Sequence, residues 1–326
     1  MSELLVLSDA DVRLLLTPRA AIDSQRAALT AAAEQRVTAA GVLSSVDPAD
    51  DSLVFAHTAA VPGLTGVTCK FGLQVPGNSA RGLPSVHAMV MMLRPGTGEP
   101  LACLNGTALT ALRTAAGIGA AAEVLARPDA TRLGLAGAGA VAREAARMIA
   151  AVRPLNQILV HSRTAASGAA LAASLTAELG VPASAVAGAE QLAARSDIIV
   201  TATTSREPVI RGDWLQPGVT VLTVGSYQPD RRELDLAATR RADATFADDP
   251  GKALVNCGML AEAAEHGITV DPQPVGEVIA GRRAGRTSPG DVVLFHCTGL
   301  GVQDAALAAA VLELAASAGI GKTVDF

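Results

Sequence analysis

A glycine turn constrains the fold of this chain more than any other stretch. Residues 131–150 read TRLGLAGAGAVAREAARMIA. The apolar run 133–136 enters Gly137, Ala138, Gly139, Ala140, Val141 and Ala142. A helical pattern follows, with Val141, Ala145, Met148 and Ile149 on one face. Strand, Gly-x-Gly-x-x-Ala, helix is the arrangement that cradles a dinucleotide. Gly137 permits the tight turn, Gly139 lets a pyrophosphate approach the backbone, and Ala142 keeps the helix close to the strand. The helix start offers unpaired N–H groups and a positive dipole end to phosphate. Gly137, Gly139, Ala140, Val141 and Ala142 are therefore candidate cofactor contacts. In a chain this rich in Ala and Gly the bare motif is common, and the alternative is an ordinary strand–helix turn. The flanking strand and helix decide for the nucleotide.

Strand and helix patterns alternate downstream of the turn. Strands are expected at 158–160, 197–202, 219–224, 245–246 and 292–295, with helical patterns at 171–179, 260–266 and 275–279 between them. Such alternation predicts a doubly wound parallel sheet. The first third reads differently. Helices are expected within 8–34, then β-like runs at 53–60 and 65–71, a loop over 72–84, and a hairpin of 86–93 with 100–104. A long Ala-rich helix over 107–126 delivers the chain to the turn, and an amphipathic helix over 303–318 follows the last strand. The fold class is α/β: a Rossmann-type sheet over 117–302, plus an α+β domain built from 1–116 with 303–326.

Composition narrows the function. The net charge is −5 and aromatics are 2% of residues, so no basic stripe with interleaved aromatics is available for nucleic acid. Four cysteines, Cys69, Cys103, Cys257 and Cys297, form no C-x-x-C, which predicts neither zinc nor disulfides and suits a cytoplasmic location. The N-terminal stretch lacks a basic n-region, and no uninterrupted apolar run reaches the roughly 18 residues of a membrane span.

An acid about 20 residues beyond the glycine turn holds the ribose hydroxyls in NAD-binding folds. Here the second strand runs into His161, Ser162, Arg163 and Thr164, and no acid occurs between Glu144 and Glu178. Arg163 stands where a 2′-phosphate would lie, and Ser162 and Thr164 add hydroxyls. The expected cofactor is NADP(H) in preference to NAD(H); the alternative is a solvated Arg163 and an indifferent site. Thr201, Ala202 and Thr203 end a later strand at the edge where ligands bind.

The chain has three lysines, Lys70, Lys252 and Lys322, against 23 arginines. Where charge alone suffices this composition uses Arg, so Lys70, closing a strand before the glycine-rich loop, is the leading acid/base candidate. Arg113 interrupts a small-residue run whose face should be buried. It needs a partner, and a substrate carboxylate or a cofactor phosphate would serve. Ser85 and His87, two apart on one strand, share a face. The distal part of a substrate should meet residues from the early strands, such as His57, or His296 near the last strand, but each reads more simply as structural.

The segments Lys70 with ARGLPS (80–85), GTALTALRTAA (106–116), GAGAVA (137–142), VGSYQPDRREL (224–234) and TGLGVQD (298–304) together resemble the ornithine cyclodeaminase / mu-crystallin family over nearly the whole chain. The resemblance implies a homodimer in which the N-terminal part and last helix dimerise and the middle binds nucleotide. It implies that Arg36, Lys70 and Arg113 surround the α-carboxylate and nitrogen of a small amino- or imino-acid substrate. It also carries over cofactor contacts to Ser85, Arg113, the glycine turn, Ser162, Arg163, Thr164, and Val224, Gly225 and Ser226. Cyclodeaminases of the family carry an aspartate where this chain has Tyr227, and a ribose-binding acid that is missing here. The Ser-Arg-Thr triplet is similar instead to the NADPH-using branch that reduces cyclic ketimines. The expected activity is reduction of a cyclic imino acid, or the reverse dehydrogenation, with Tyr227 as a hydrogen-bond donor or a packing residue. An ammonia-releasing cyclodeaminase and a non-catalytic nucleotide-dependent binding protein are the alternatives.

Overall fold

A computed structural model describes residues 3–61 and 63–326. The chain divides into two compact units: Met1–Arg113 with Leu300–Phe326, and Thr114–Gly299.

The first unit is built on a seven-stranded sheet in the order Lys322–Asp325, Glu3–Leu7, Pro100–Asn105, Val86–Leu93, Val67–Gln74, Ser52–Ala60, Thr38–Asp47. Every neighbouring pair is antiparallel except Glu3–Leu7 with Pro100–Asn105. Three of these strands escape sequence patterning. Glu3–Leu7 and Lys322–Asp325 are short and pair across almost the whole chain, and Thr38–Asp47 is an edge strand without apolar alternation. The expected loop 72–84 is also more ordered, since its strand runs on to Gln74 and a 3-10 helix covers Pro76–Arg81. Helix Asp9–Leu15 starts on a capping box between Ser8 and Asp11. Helix Pro18–Ala33 starts with the Thr17 hydroxyl on the Ala20 N–H and Pro at its first turn.

Helices Pro18–Ala33 and Gly301–Ala318 pack together, and the second lies against the middle strands. They cover one face of the sheet. On strand Val67–Gln74 the burial alternates: Thr68, Lys70, Gly72 and Gln74 face the core, and Phe71 and Leu73 face out. Leu43, Val54 and Met89 are likewise exposed, and the pairings Phe71↔Met89 and Val54↔Leu73 place them together on one apolar face.

The second unit carries an eight-stranded parallel sheet in the order Gln273–Pro274, Ala244–Ala247, Val293–His296, Thr220–Thr223, Ile198–Thr201, Arg132–Ala136, Gln157–His161, Ala183–Ala185. Its central strands IIVT, TVLT and VLFH are buried throughout, as strands covered on both faces must be. The strand order reverses between Arg132–Ala136 and Ile198–Thr201. A crevice at the carboxyl edge of such a switch point is where doubly wound sheets bind ligands. The turn at Gly137, the 162–164 segment, the 201–203 segment and the 224–226 segment all leave strands at that edge.

Gly106–Leu125 and Gly301–Ala318 are long and apolar enough by composition to cross a membrane, although no uninterrupted apolar run singles them out. Both are largely buried in the protein, and they carry the charged side chains Arg113 and Asp304.

Candidate functional site

Three charged side chains converge in the first unit. Lys70 sits mid-strand, opposite His57 on one neighbouring strand and Val90 on the other. Its ammonium lies 2.9 Å from Asp304 Oδ1 and 2.8 Å from Oδ2, and both side chains are 1% exposed. Arg113 Nε donates to Asp304 Oδ1 at 3.0 Å, and its Nη1 reaches Gln303 Oε1 at 3.5 Å. Gln303 Oε1 also accepts the Leu300 N–H at 2.9 Å, which holds the start of helix Gly301–Ala318. That helix begins hard against strand Ser52–Ala60. A Cβ on residue 301 would stand 2.7 Å from the Thr58 carbonyl oxygen, so glycine is required for the approach that brings Asp304 to Lys70. His57 Nδ1 lies 3.5 Å from Asp304 Oδ2, and its ring packs on Phe55 with centroids 5.5 Å apart.

Burial by itself pushes the Asp304 carboxyl upward. The charges of Lys70 and Arg113, helped by the His57 contact, overcome that and hold it far below the usual carboxylate range. Burial likewise lowers His57, against the opposing pull of Asp304, so the ring is neutral at physiological pH. Two cations against one carboxylate leave the cluster with one positive charge in excess. A buried surplus charge calls for an anion.

Two other residues expected near the substrate have partners of their own. Arg36 follows the end of helix Pro18–Ala33, is more than half exposed, and gives its Nε to Glu34 at 2.6 Å. The structure does not bring it to Asp304. Tyr227 is half-buried in the second unit, with the Arg231 guanidinium 5.6 Å from its ring centre. Arg231 is in turn fixed by Gln228 Oε1 at 2.6 Å and the Thr204 carbonyl at 3.1 Å. Ser85 is exposed, and its carbonyl takes the Val75 N–H at 2.8 Å across the glycine-rich segment.

In the second unit the glycine turn has the shape that a dinucleotide needs. Gly137 has φ +122°, and a Cβ there would collide with the Ala202 carbonyl. Its N–H is held by the His161 carbonyl at 2.8 Å. Gly139 caps helix Ala140–Ala150 with no side-chain hydrogen bond, no acid lies in the first turn, and none of the described residues stands within 4 Å of where its Cβ would be. The first-turn N–H groups and the open space beside them fit a phosphate. Ala140 is exposed, Val141 half-buried and Ala142 buried against the sheet. Ser162 Oγ donates to the Thr164 carbonyl at 2.6 Å and Thr164 Oγ1 to Ser167 at 2.7 Å, while Arg163 projects into solvent.

Glu233, which sequence patterning passes over, ties the remaining segments together. It is fully buried, and its carboxylate accepts Thr201 Oγ1 at 2.8 Å, Thr203 N at 2.7 Å, Thr203 Oγ1 at 2.8 Å, Gly225 N at 2.6 Å and Val224 N at 3.3 Å. Burial pushes its pKa up against these donors. One side chain thereby sets 201–203 and 224–225 side by side. The Ser226 hydroxyl beyond them is buried and has no hydrogen-bond partner among the described residues.

Asp304 is the functional residue that sequence reading missed. Its only linear signal is its place at the end of TGLGVQD, a lone acid entering an Ala-rich helix.

Comparison with known proteins places the whole chain among relatives of the same fold. A Delta(1)-pyrroline-2-carboxylate reductase of Bacillus cereus is 33% identical over 81% of this chain and 82% of its own. The structure of the Thermococcus litoralis Delta(1)-pyrroline-2-carboxylate reductase in complex with NADH and L-proline superposes with TM-score 0.94 at 28% identity, covering 98% of this chain and all of that one. An archaeal alanine dehydrogenase dimer with bound NAD superposes with TM-score 0.91 at 29% identity, covering 99% of both chains. The family profile matches residues 4–319. The chain belongs to the ornithine cyclodeaminase/mu-crystallin family.

Proposed function

We propose that this protein is an NAD(P)H-dependent reductase of cyclic imino acids, of the pyrroline- or piperideine-2-carboxylate type, able to run in reverse as an amino-acid dehydrogenase. The observation that carries the reading is the buried Lys70–Asp304–Arg113 cluster, with its surplus positive charge and its one titratable amine. Arg113 pairs with the substrate α-carboxylate. Lys70 gives its proton to the imine nitrogen, and Asp304 keeps both cations in place through the reaction. Fixing the carboxylate and the nitrogen orients the imine carbon, and the positive field makes that carbon more electrophilic. The reduced dinucleotide, when bound on the glycine turn, supplies the hydride.

The relatives named above bind NADH or NAD. A preference for NADP(H) here rests on Arg163 with Ser162 and Thr164, in a segment without an acid. Initial rates with pyrroline-2-carboxylate test both readings. Turnover is expected with NADPH and, more weakly, with NADH. In Arg163→Ala the NADPH kcat/KM is expected to fall by roughly 10–100-fold, the worth of one charge-assisted hydrogen bond, with NADH unaffected. Ammonia and proline formed from ornithine and NAD would overturn the reductase reading in favour of cyclodeamination.

We further propose that the apolar sheet face of the first unit is covered by a second copy of the chain. Phe71 is 54% exposed and Met89 56%, side by side on paired strands. The alanine dehydrogenase relative is a dimer. Sedimentation of Phe71→Asp/Met89→Asp is expected to show monomers where the parent protein shows dimers, and an unchanged dimer would place the interface elsewhere.

A further inference from the structure

Reducing a C=N bond takes up one hydride and one proton. The carbon accepts the hydride with its electron pair, the π pair of the C=N bond becomes the new N–H bond, and the proton comes from Lys70, which is left as a neutral amine. Before the next turnover Lys70 has to recover a proton, and with product still in the site the route from solvent runs through the protein. Yet its side chain and that of Asp304 are each 1% exposed, and that of Arg113 is 8% exposed. The remaining member of the cluster is His57, 15% exposed.

We propose that His57 is the port through which solvent protons return to the buried Lys70–Asp304 pair. The inference rests on the reductase reading given above. His57 stands directly opposite Lys70 on the neighbouring strand. Its Nδ1 is buried, has no hydrogen-bond partner among the described residues, and lies 3.5 Å from Asp304 Oδ2. The exposed part of the side chain is therefore elsewhere on the residue. The side chain thus touches solvent while its Nδ1 faces the carboxylate. The charged groups that face it are Asp304 from helix Gly301–Ala318, Lys70 from the adjacent strand and Arg113 from helix Gly106–Leu125.

Proton demand is set by the charge state of Lys70. While Lys70 is an ammonium, it and Arg113 keep Asp304 a very weak base. Once Lys70 has given up its proton, the larger of those two charges is gone, and burial drives the carboxylate to seek a proton. A neutral imidazole with its hydrogen on Nδ1 can pass that hydrogen to Asp304, take another from solvent at Nε2, and let Asp304 return the proton to Lys70. One proton enters per turnover, and the ring, left with its hydrogen on Nε2, returns to the Nδ1–H form by proton exchange before the next.

His57→Ala and His57→Gln test this. The wild-type rate on cyclic imine or on the reverse amino-acid substrate is measured first. Absence of any turnover overturns the parent reading and this one together. With turnover in hand, the first hydride transfer in rapid-mixing experiments is expected to keep its wild-type rate in both variants, because Lys70 starts charged. The steady-state kcat is expected to fall by roughly 10²-fold, the low end of an acid–base contribution. Added imidazole is expected to restore kcat in His57→Ala while leaving the wild type unchanged. A kcat unaltered in both variants overturns the proposal, as does an equal loss in the first turnover that imidazole does not repair. Should His57→Ala fold poorly, the first-turnover and steady-state comparison in His57→Gln decides alone.

Discussion

Lys70→Met is expected to lower kcat by about 10²–10⁴-fold, the range of a positioned acid or base, while the cofactor still binds. Methionine nearly fills the volume of the lysine stem, and residue 70 is buried among strand neighbours, so the sheet keeps its packing. What is lost is the proton at Nζ. Asp304 keeps Arg113 as a partner, and the cluster loses its surplus positive charge, so KM for the imino acid should rise as well. Titrating dinucleotide fluorescence against the variant checks that the second unit is intact, and a kcat within a few-fold of wild type would exclude Lys70 as the proton donor.

Asp304→Ala is expected to have the largest effect on stability. It leaves Lys70 and Arg113 buried without their common counter-charge, a change that costs about 3–5 kcal/mol. Urea unfolding would read this as a shifted midpoint. The double variant Lys70→Met/Asp304→Ala should recover part of the loss, because one of the two stranded cations is gone, and strict additivity of the two single changes would contradict the coupling. The pH dependence has a definite sign. The folded carboxyl titrates below the ordinary 3.8, so the stability contributed by Asp304 is fully present above that value. It is lost as pH falls through the depressed folded pKa. Asp304→Ala should therefore flatten the acid limb of the unfolding profile.

The legible and illegible parts of this molecule differ in how far apart their partners lie in the chain. The glycine turn, the fully buried strands of the second unit and the helix Val275–Ile279 are local patterns, and each stands where sequence places it. Lys70 was visible through composition, because a chain that uses arginine nearly everywhere keeps a lysine here. Arg113 was visible as a charge that a small-residue helix would bury. Its partner was not, because Asp304 lies 191 residues away and meets it only through the packing of helix Gly301–Ala318. Glu233 hides for a related reason. Eight residues separate it from Gly225 and 32 from Thr201, and nothing in DRREL distinguishes the inward acid from its exposed neighbour Asp230. Arg36 shows the converse. Its family resemblance points to a substrate contact, whereas its local setting, just past a helix end beside Glu34, gives it a nearby partner.

Strand Val67–Gln74 places Lys70 and Phe71 on consecutive residues and opposite faces. Inner and outer surfaces are therefore locked in phase by the two-residue repeat of the backbone. Substitution can retune the surroundings of the proposed proton donor or the proposed contact with a neighbouring copy independently, one parity at a time. A change in length cannot, because inserting a single residue ahead of Lys70 would turn the amine outward and the phenyl ring inward in the same stroke. Through this segment the protein is free to vary its letters but not its count.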